Sequence, residues 1–172
     1  LVTGVQTCAL PIYNNTASTN YSTVGGGQSN TAQTNTYATV CGGNTNTASG
    51  QYSFVGGGTG NTANNTLANV FGGGTNTASG QHATIAGGRL NLANSDYSFI
   101  AGSNRGTTRS IVGYTVFPAC NVPIADVSGV TQSALLLLAR ETTTAAATVL
   151  TSNSSAAGTT NQVVLATNSA YF

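Results

Sequence analysis

Four consecutive stretches of the chain decide its fold: YATVCGGNTNTASGQ (37–51), YSFVGGGTGNTANNT (52–66), LANVFGGGTNTASGQ (67–81) and HATIAGGRLNLANSD (82–96). They are copies of one unit, in which an aliphatic residue precedes a glycine run and an Asn-x-Ala motif follows it. The unit extends upstream to 21–36 and decays downstream over 97–109. Because self-similarity at a fixed short period is the signature of repeat architectures, the chain is predicted to be a solenoid.

Three positions of this unit anchor the repeat. An aliphatic residue recurs after 16 residues once and after 15 thereafter, in Val24, Val40, Val55, Val70, Ile85 and Ile100. The second residue after it is glycine, in Gly26, Gly42, Gly57, Gly72, Gly87 and Gly102. The sixth is asparagine, in Asn30, Asn46, Asn61, Asn76 and Asn91, with alanine two residues later. All of these are predicted to be structural, and no catalytic, cofactor-binding or metal-binding residue is predicted.

The length of the unit excludes helices and favours strands. Fifteen residues are too few for a helical hairpin, and each glycine in a helix would cost about 1 kcal/mol. Each unit is therefore predicted to form one strand of four or five residues, a glycine turn, a second short strand around Asn-Thr-Ala and a polar turn. Six such coils stacked at about 4.8 Å give an all-β parallel solenoid roughly 29 Å long.

Side-chain directions follow from the alternation of residues along a strand. Ser22 and Ala38 are predicted to point inward with the aliphatic anchors, and inward asparagines to hydrogen-bond along the stack. The first residues of the units are predicted to stack as an outer ladder: Tyr21, Tyr37, Tyr52, Leu67, His82 and Tyr97. One Val or Ile and two small residues per coil make a thin core, whereas ordering the chain costs about 1–2 kcal/mol per residue. We therefore expect self-association, as a homotrimer.

Charge is nearly absent from the chain. Of 172 residues 4 are basic and 3 acidic, whereas soluble domains devote about a quarter of their residues to charge. The net charge of +1 excludes electrostatic binding to nucleic acid or to an anionic membrane surface. The glycine runs lack the lysine of a phosphate-binding loop. Calcium-binding repeats need regularly placed aspartates, whereas Asp96 is the one aspartate in these repeats. His82 and Cys41 are predicted to be substitutions at packing positions, and the chain not to be an enzyme.

The first residues of the chain do not continue the repeat. Residues 2–12, VTGVQTCALPI, resemble the in-frame translation of a common short-read sequencing adapter, and Tyr13 agrees with its next base. The alternative is a native strand in which Leu10 and Ile12 are buried. We expect residues 1–12 to be an unstructured artefact, and the chain to be a gene fragment open at both ends.

The composition changes after residue 109. Residues 110–127 are predicted to be an irregular connector, and residues 128–172 the N-terminal part of a truncated β-rich domain. Strands are favoured over a helix across 134–147, although periodicity does not separate the two in a short apolar run. The apolar run at 135–138 is too short to cross a bilayer.

The repeat also resembles a known family. The phrases YSTVGGG, NTNTASGQ and YSFVGGG, within Asn14 to about Arg109, are similar to the head repeats of YadA-like trimeric adhesins and still more to related units in bacteriophage tail fibres and spikes. The resemblance implies a left-handed parallel β-roll, with three chains side by side at the tip or shaft of an attachment organelle. The bacterial unit is often a residue shorter, and no coiled-coil heptads follow here, which favours the phage proteins. Residues 128–172 resemble the opening of a β-rich domain of phage tail structural proteins.

Together these features predict a non-catalytic structural and attachment segment of a trimeric phage tail fibre or spike, located in the virion. The expected partners are copies of the chain itself and a host-cell surface glycan or protein, with no cofactor, no nucleic acid and no membrane insertion. The main alternative is the head of a bacterial trimeric autotransporter-like adhesin on the outer cell surface. A non-catalytic part of a tailspike depolymerase and an ice-binding solenoid are further alternatives. Thr-Asn-Thr motifs at 45–47 and 75–77 favour ice binding, but other coils interrupt their row.

Overall fold

Strands are the only regular structure in the described part of the chain. The computed structural model describes residues 13–117 and 132–137, and every element within these ranges is a β-strand. All paired strands are parallel except the last pair. The prediction of an all-β parallel solenoid with coils of about 15 residues is confirmed. The predictions for residues 1–12, for 118–131 and beyond Leu137 lie outside the described residues.

Two sheets run along the solenoid. The sheet that carries the aliphatic anchors, here the Val sheet, has eight strands: β2 (Thr23–Val24), β4 (Thr39–Val40), β6 (Phe54–Val55), β8 (Asn69–Val70), β10 (Thr84–Ile85), β13 (Phe99–Ile100), β15 (Thr115–Phe117) and β16 (Ser133–Leu135). The sheet that carries the Asn-Thr-Ala motif, here the Ala sheet, has six: β1 (Thr16–Ala17), β3 (Thr31–Ala32), β5 (Thr47–Ala48), β7 (Thr62–Ala63), β9 (Thr77–Ala78) and β12 (Leu92–Ala93). A third, two-stranded sheet pairs β11 (Gly88–Arg89) with β14 (Ser103–Asn104).

Equivalent residues of successive coils lie opposite one another. Val24 pairs with Val40 although 16 residues separate them, and Val40 pairs with Val55 at the ordinary spacing. The additional residue of the longer coil is absorbed in the turn at 33–36, where Thr34 adopts a φ of 74°. Because the insertion lies in a turn, it does not exchange inward and outward side chains, as a one-residue shift within a strand would.

The strands are shorter than the sequence predicted. Strands β1 to β14 have two residues each rather than four or five, because the backbone turns just before them. Tyr37, two residues before β4, has a φ of 64°, and Thr45, two residues before β5, has a φ of 55°. A left-handed residue cannot continue an extended strand. Each coil is therefore bent at these two residues into short straight segments.

A third line of pairing was not anticipated from the sequence. Single parallel bridges connect equivalent residues of successive coils: Tyr13, Gln28, Asn44, Thr59, Gly74 and Arg89. The pairing of β11 with β14 continues the same line. The segment after the glycines, predicted to be a turn, is thus paired with its copies. Successive coils are held together along three lines instead of two.

The interior of the solenoid is narrow. The anchors from Val40 onward are fully buried, and small or amide side chains fill the other interior positions, as Ala38 or Ser53 does beside an anchor and Ala48 does in the Ala sheet. The predicted inward direction of Ala38 is confirmed, whereas Ser22 in the preceding coil is half-buried. Burying one Val or Ile side chain contributes about 1.5–3 kcal/mol. Contacts between coils, rather than a thick core, therefore hold the described solenoid together.

An antiparallel strand pair extends the Val sheet beyond the repeats. Strand β15 continues the sheet after β13, and Val116 is fully buried in register with Ile100. The prediction of an irregular connector over 110–127 is therefore wrong for Thr115–Phe117, because Val116 acts as a further anchor. Strand β16 pairs antiparallel with β15, so the predicted strand near residue 134 is confirmed for Ser133–Leu135 and the helix alternative is wrong there.

The side chain of Gln132 ends the Ala sheet. Its Oε1 accepts a hydrogen bond from the N–H of Thr107 (2.9 Å), and its Nε2 donates one to the carbonyl of Thr107 (2.8 Å). Thr107 is bridged on its other side to Leu92 of β12. The amide of Gln132 thus supplies the two hydrogen bonds that a following strand would make.

Replacing Gln132 with alanine is expected to lower the free energy of unfolding by about 1–3 kcal/mol, since the buried N–H and C=O of Thr107 lose their partners. Amide hydrogen exchange at Thr107 should accelerate, while exchange in the central coils should not change. Gln33→Ala is the matched control, because Gln33 is exposed and its side chain makes no hydrogen bond within the described residues. Equal exchange at Thr107 in the two variants would contradict the assigned role.

Candidate functional site

Buried asparagines form a continuous ladder through the solenoid, here the Asn ladder: Asn15, Asn30, Asn46, Asn61, Asn76 and Asn91. From Asn30 onward these residues are at most 1% exposed. The Oδ1 of each accepts a hydrogen bond from the backbone N–H of the next, as from Asn61 to Asn46 (2.9 Å) and from Asn76 to Asn61 (3.0 Å). The prediction that inward asparagines hydrogen-bond along the stack is confirmed.

The amide nitrogens of the Asn ladder join each coil to the next. The Nδ2 of Asn61 donates to the carbonyl of Gly57 in its own coil (2.8 Å) and to that of Gly73 in the next coil (3.0 Å). Asn30, Asn46 and Asn76 repeat this pair of hydrogen bonds. Both amide protons and the oxygen of these side chains are therefore engaged. A buried amide in this state stabilises the stack and has no donor left for a ligand.

Two glycines of the unit have distinct structural tasks. The anchor-plus-two glycine, such as Gly57, supplies the carbonyl that accepts the asparagine hydrogen bond within the coil. The anchor-plus-three glycine faces the next coil at close range: a Cβ on Gly58 would overlap the carbonyl oxygen of Gly73, and its φ is 87°. The first of these positions was predicted from the sequence to be structural. The signal for the second was its recurrence through five units, in Gly27, Gly43, Gly58, Gly73 and Gly88.

Aromatic side chains stack along one edge of the Val sheet, and the position they share is here the outer ladder: Tyr21, Tyr37, Tyr52, Leu67, His82 and Tyr97. The rings of Tyr21 and Tyr37, and those of Tyr37 and Tyr52, are 4.8 Å apart and nearly parallel. His82 stacks on Tyr97 at 4.9 Å. The predicted ladder is confirmed, with Leu67 as its interruption. Because stacked rings cover one another's faces, mainly their edges and polar groups are available to a partner.

Replacing Leu67 with tyrosine is expected to raise the free energy of unfolding, because the new ring would stack on Tyr52 and His82. Each aromatic pair contributes about 0.5–1.5 kcal/mol beyond its buried area. Leu67 already has a φ of 56°, the same as Tyr52, so the backbone needs no change. Thr75→Tyr is the control, since Thr75 has a φ of 54° but lies in a row without aromatic residues. Thermal melts in which both variants shift equally would exclude a stacking effect.

Outward threonines form one straight row on the Ala sheet: Thr16, Thr31, Thr47, Thr62 and Thr77. Their hydroxyl groups make no hydrogen bond within the described residues. The neighbouring row contains Thr45 and Thr75, but Ser29, Gly60 and Leu90 interrupt it. The surface therefore presents a single regular threonine row rather than paired rows. Ice binding by this surface stays a prediction.

The chain matches no protein-family model and no curated protein.

Titratable side chains are scattered along the solenoid. Within the described residues, no three of the His, Cys, Asp and Glu side chains lie close enough to hold a metal ion. Asp96 accepts a hydrogen bond from the N–H of Gln81 (2.8 Å), Cys41 is exposed, and His82 lies in the outer ladder. The described residues also contain no helix that is long and apolar enough to span a membrane. The candidate functional site is the outer surface that carries the outer ladder and the threonine row.

Proposed function

We propose that the chain is a non-catalytic structural and attachment segment of a trimeric bacteriophage tail fibre or spike, located in the virion. The observation that carries the proposal is the uninterrupted stack, in which successive coils pair in register from β2 to β13. Each coil contacts mainly its neighbours, so the stack is a rod whose length grows by about 4.8 Å per coil. A rod of this kind suits the shaft or head of a fibre better than it suits an enclosed binding pocket.

The thin interior supports assembly into trimers. Each coil buries one Val or Ile and small residues, while large apolar side chains remain outside, including Tyr21, Phe71 and Tyr97. Association removes such side chains from water and adds the burial that the single chain lacks. A trimer is the assembly that the resemblance of the repeats to adhesin heads implies.

The uncharged surface supports attachment through hydrogen bonds rather than through charge. Between Tyr13 and Asn104 the only charged residues are Arg89 and Asp96. A host-cell surface glycan or protein is the proposed partner, and amide and hydroxyl groups on the outer surface can both donate and accept hydrogen bonds to it. We propose no nucleic-acid partner and no membrane insertion.

Native mass spectrometry of the full chain tests the assembly. The expected mass is three times the 17.1 kDa of one chain. The melting temperature should rise with protein concentration, because association stabilises the folded state by mass action. A folded monomer whose melting temperature is independent of concentration would contradict the proposal. The gene neighbourhood separates the phage assignment from a bacterial adhesin, since phage morphogenesis genes are expected beside it.

A further inference from the structure

The outward surface of the Val sheet differs from the rest of the solenoid in having no charge. It consists of three rows, here together the Val-sheet face. The rows are the outer ladder; its neighbour Thr23, Thr39, Phe54, Asn69, Thr84 and Phe99; and the row Gly25, Cys41, Gly56, Phe71, Ala86 and Ala101. None of these positions holds Asp, Glu, Lys or Arg. The charged residues of the same coils, Arg89, Asp96, Arg105 and Arg109, all lie outside the three rows.

Large apolar side chains are concentrated on this face and remain accessible to water. Phe71 is 57% exposed and Phe99 is 37% exposed, and the rings of Phe54 and Phe71 lie 5.7 Å apart. At the corresponding outward position of the Ala sheet, five of the six strands carry threonine instead. Isolated exposed apolar residues are ordinary, but a contiguous group of them marks an interaction surface.

We propose that the Val-sheet face is the surface on which copies of this chain pack against one another, an inference that rests on the proposed trimer. A face turned toward a threefold axis contacts both neighbours, so one face per chain is sufficient. The surface of the partner must be uncharged, since a charge would be desolvated against these rows without a counter-ion. A second copy meets this condition along its whole length.

The spacing of the face agrees with this partner. Each of the six coils presents the same three outward positions, and the coils follow one another at about 4.8 Å. A copy of the solenoid also has the same spacing between coils, so side chains that project from one coil can fit beside the small residues, such as Gly56 and Ala86, of another.

A bound glycan is a weaker candidate for the same face. Sugars bind to aromatic residues by stacking on the faces of rings, whereas the rings of Tyr21, Tyr37 and Tyr52 already cover one another. If this face bound a glycan, copies of the chain would not pack against one another through it. Without sugar the thiol of Cys41 would then be accessible and would react freely.

The reactivity of the Cys41 thiol tests the assignment directly. In the full chain with Cys8→Ser and Cys120→Ser, Cys41 is the single thiol and lies on the Val-sheet face. The control adds Cys41→Ser and Thr47→Cys, which moves the thiol to the Ala sheet of the same coil. In the single chain Cys41 is exposed and Thr47 is half-exposed. If the face were unassociated, Cys41 would therefore react at least as fast as the thiol of the Thr47→Cys control. The expected result is the reverse: at least tenfold slower reaction of Cys41 with Ellman's reagent.

A charge on the face provides the second test. Phe71→Arg is expected to convert trimers to monomers in native mass spectrometry, while Thr77→Arg, on the Ala sheet of the same coil, is expected to leave them intact. Trimers that persist in Phe71→Arg, or fast reaction of Cys41 within trimers, would overturn the assignment of the face and leave the proposed trimer standing. A monomeric unsubstituted chain would overturn both.

Discussion

The chain with Gly73→Ala is expected to lose most of its cooperative unfolding transition at temperatures where the unsubstituted chain is folded. Gly73 has a φ of 91°, and a Cβ on it would overlap the carbonyl oxygen of Gly88 and lie 2.8 Å from the Nδ2 of Asn76. The left-handed conformation costs a non-glycine residue about 1–2 kcal/mol. Overpacking adds about 1–3 kcal/mol, because the obstructing atoms belong to the backbone of the next coil. Circular dichroism melts at equal protein concentration measure the combined effect.

The adjacent residue provides the control for this substitution. A Cβ on Gly72 would have no atom within 4 Å, and Gly72 is not among the residues with a positive φ. Gly72→Ala is therefore expected to change the free energy of unfolding by no more than about 1 kcal/mol, and it can be stabilising because alanine restricts the unfolded chain. Equal melting temperatures for the two variants would show that the approach between coils is looser than the structure has it.

Removing one side chain from the Asn ladder is expected to cost about 2 kcal/mol or more, since two backbone groups lose their hydrogen-bond partners at about 1–3 kcal/mol each. In Asn61→Ala these groups are the N–H of Asn76 and the carbonyl of Gly57, whereas the carbonyl of Gly73 keeps its hydrogen bond from the N–H of Thr59. The substitution removes the side-chain hydrogen bonds between this coil and the next, while the backbone pairing of the coils remains. We expect hydrogen exchange to accelerate on both sides of residue 61, with a marked fall in the midpoint of chemical denaturation.

Asn64 is the matched control for the Asn ladder. It belongs to the same coil but is exposed, and its side chain makes no hydrogen bond within the described residues. Asn64→Ala is expected to lie within about 0.5 kcal/mol of the unsubstituted chain, as surface substitutions usually do. If Asn61→Ala were equally mild, water would have to replace the lost amide, and the Asn ladder would add little to the backbone pairing between coils.

The repeat made the solenoid predictable from the sequence because its period, glycine content and alternation all favour the same fold. The inward direction of the anchors, of Ala38 and of the Asn ladder followed from that alternation, and the stacking of Tyr21 on Tyr37 followed from their equivalent positions. Each of these predictions depends on one coil having the same conformation as the next. Because the unit repeats, the same local conformation in each coil brings equivalent residues of successive coils into contact. The solenoid could therefore be recognised from one sequence.

The remaining features depend on geometry that the pattern does not encode. The left-handed conformation of Tyr37 and Thr45 shortens the strands, and neither residue type indicates a turn. The pairing of Gln132 with Thr107 joins residues 25 positions apart outside the repeat, and no period predicts it. The Val-sheet face could be assembled only once the register was known, because Phe54 and Phe71 occupy different positions of the unit.

The Asn ladder also makes whole coils interchangeable. Each inner coil offers the same acceptor and donors to the coil after it, so a 15-residue unit can be duplicated or deleted while its neighbours keep their hydrogen bonds within the Asn ladder. Recombination between the repeated stretches of its gene would alter the length of the rod in steps of about 4.8 Å. A shift of one or two residues within a strand would instead misalign the ladder. The hydrogen bonds that hold the stack together thus also define the increments by which it can lengthen or shorten in evolution.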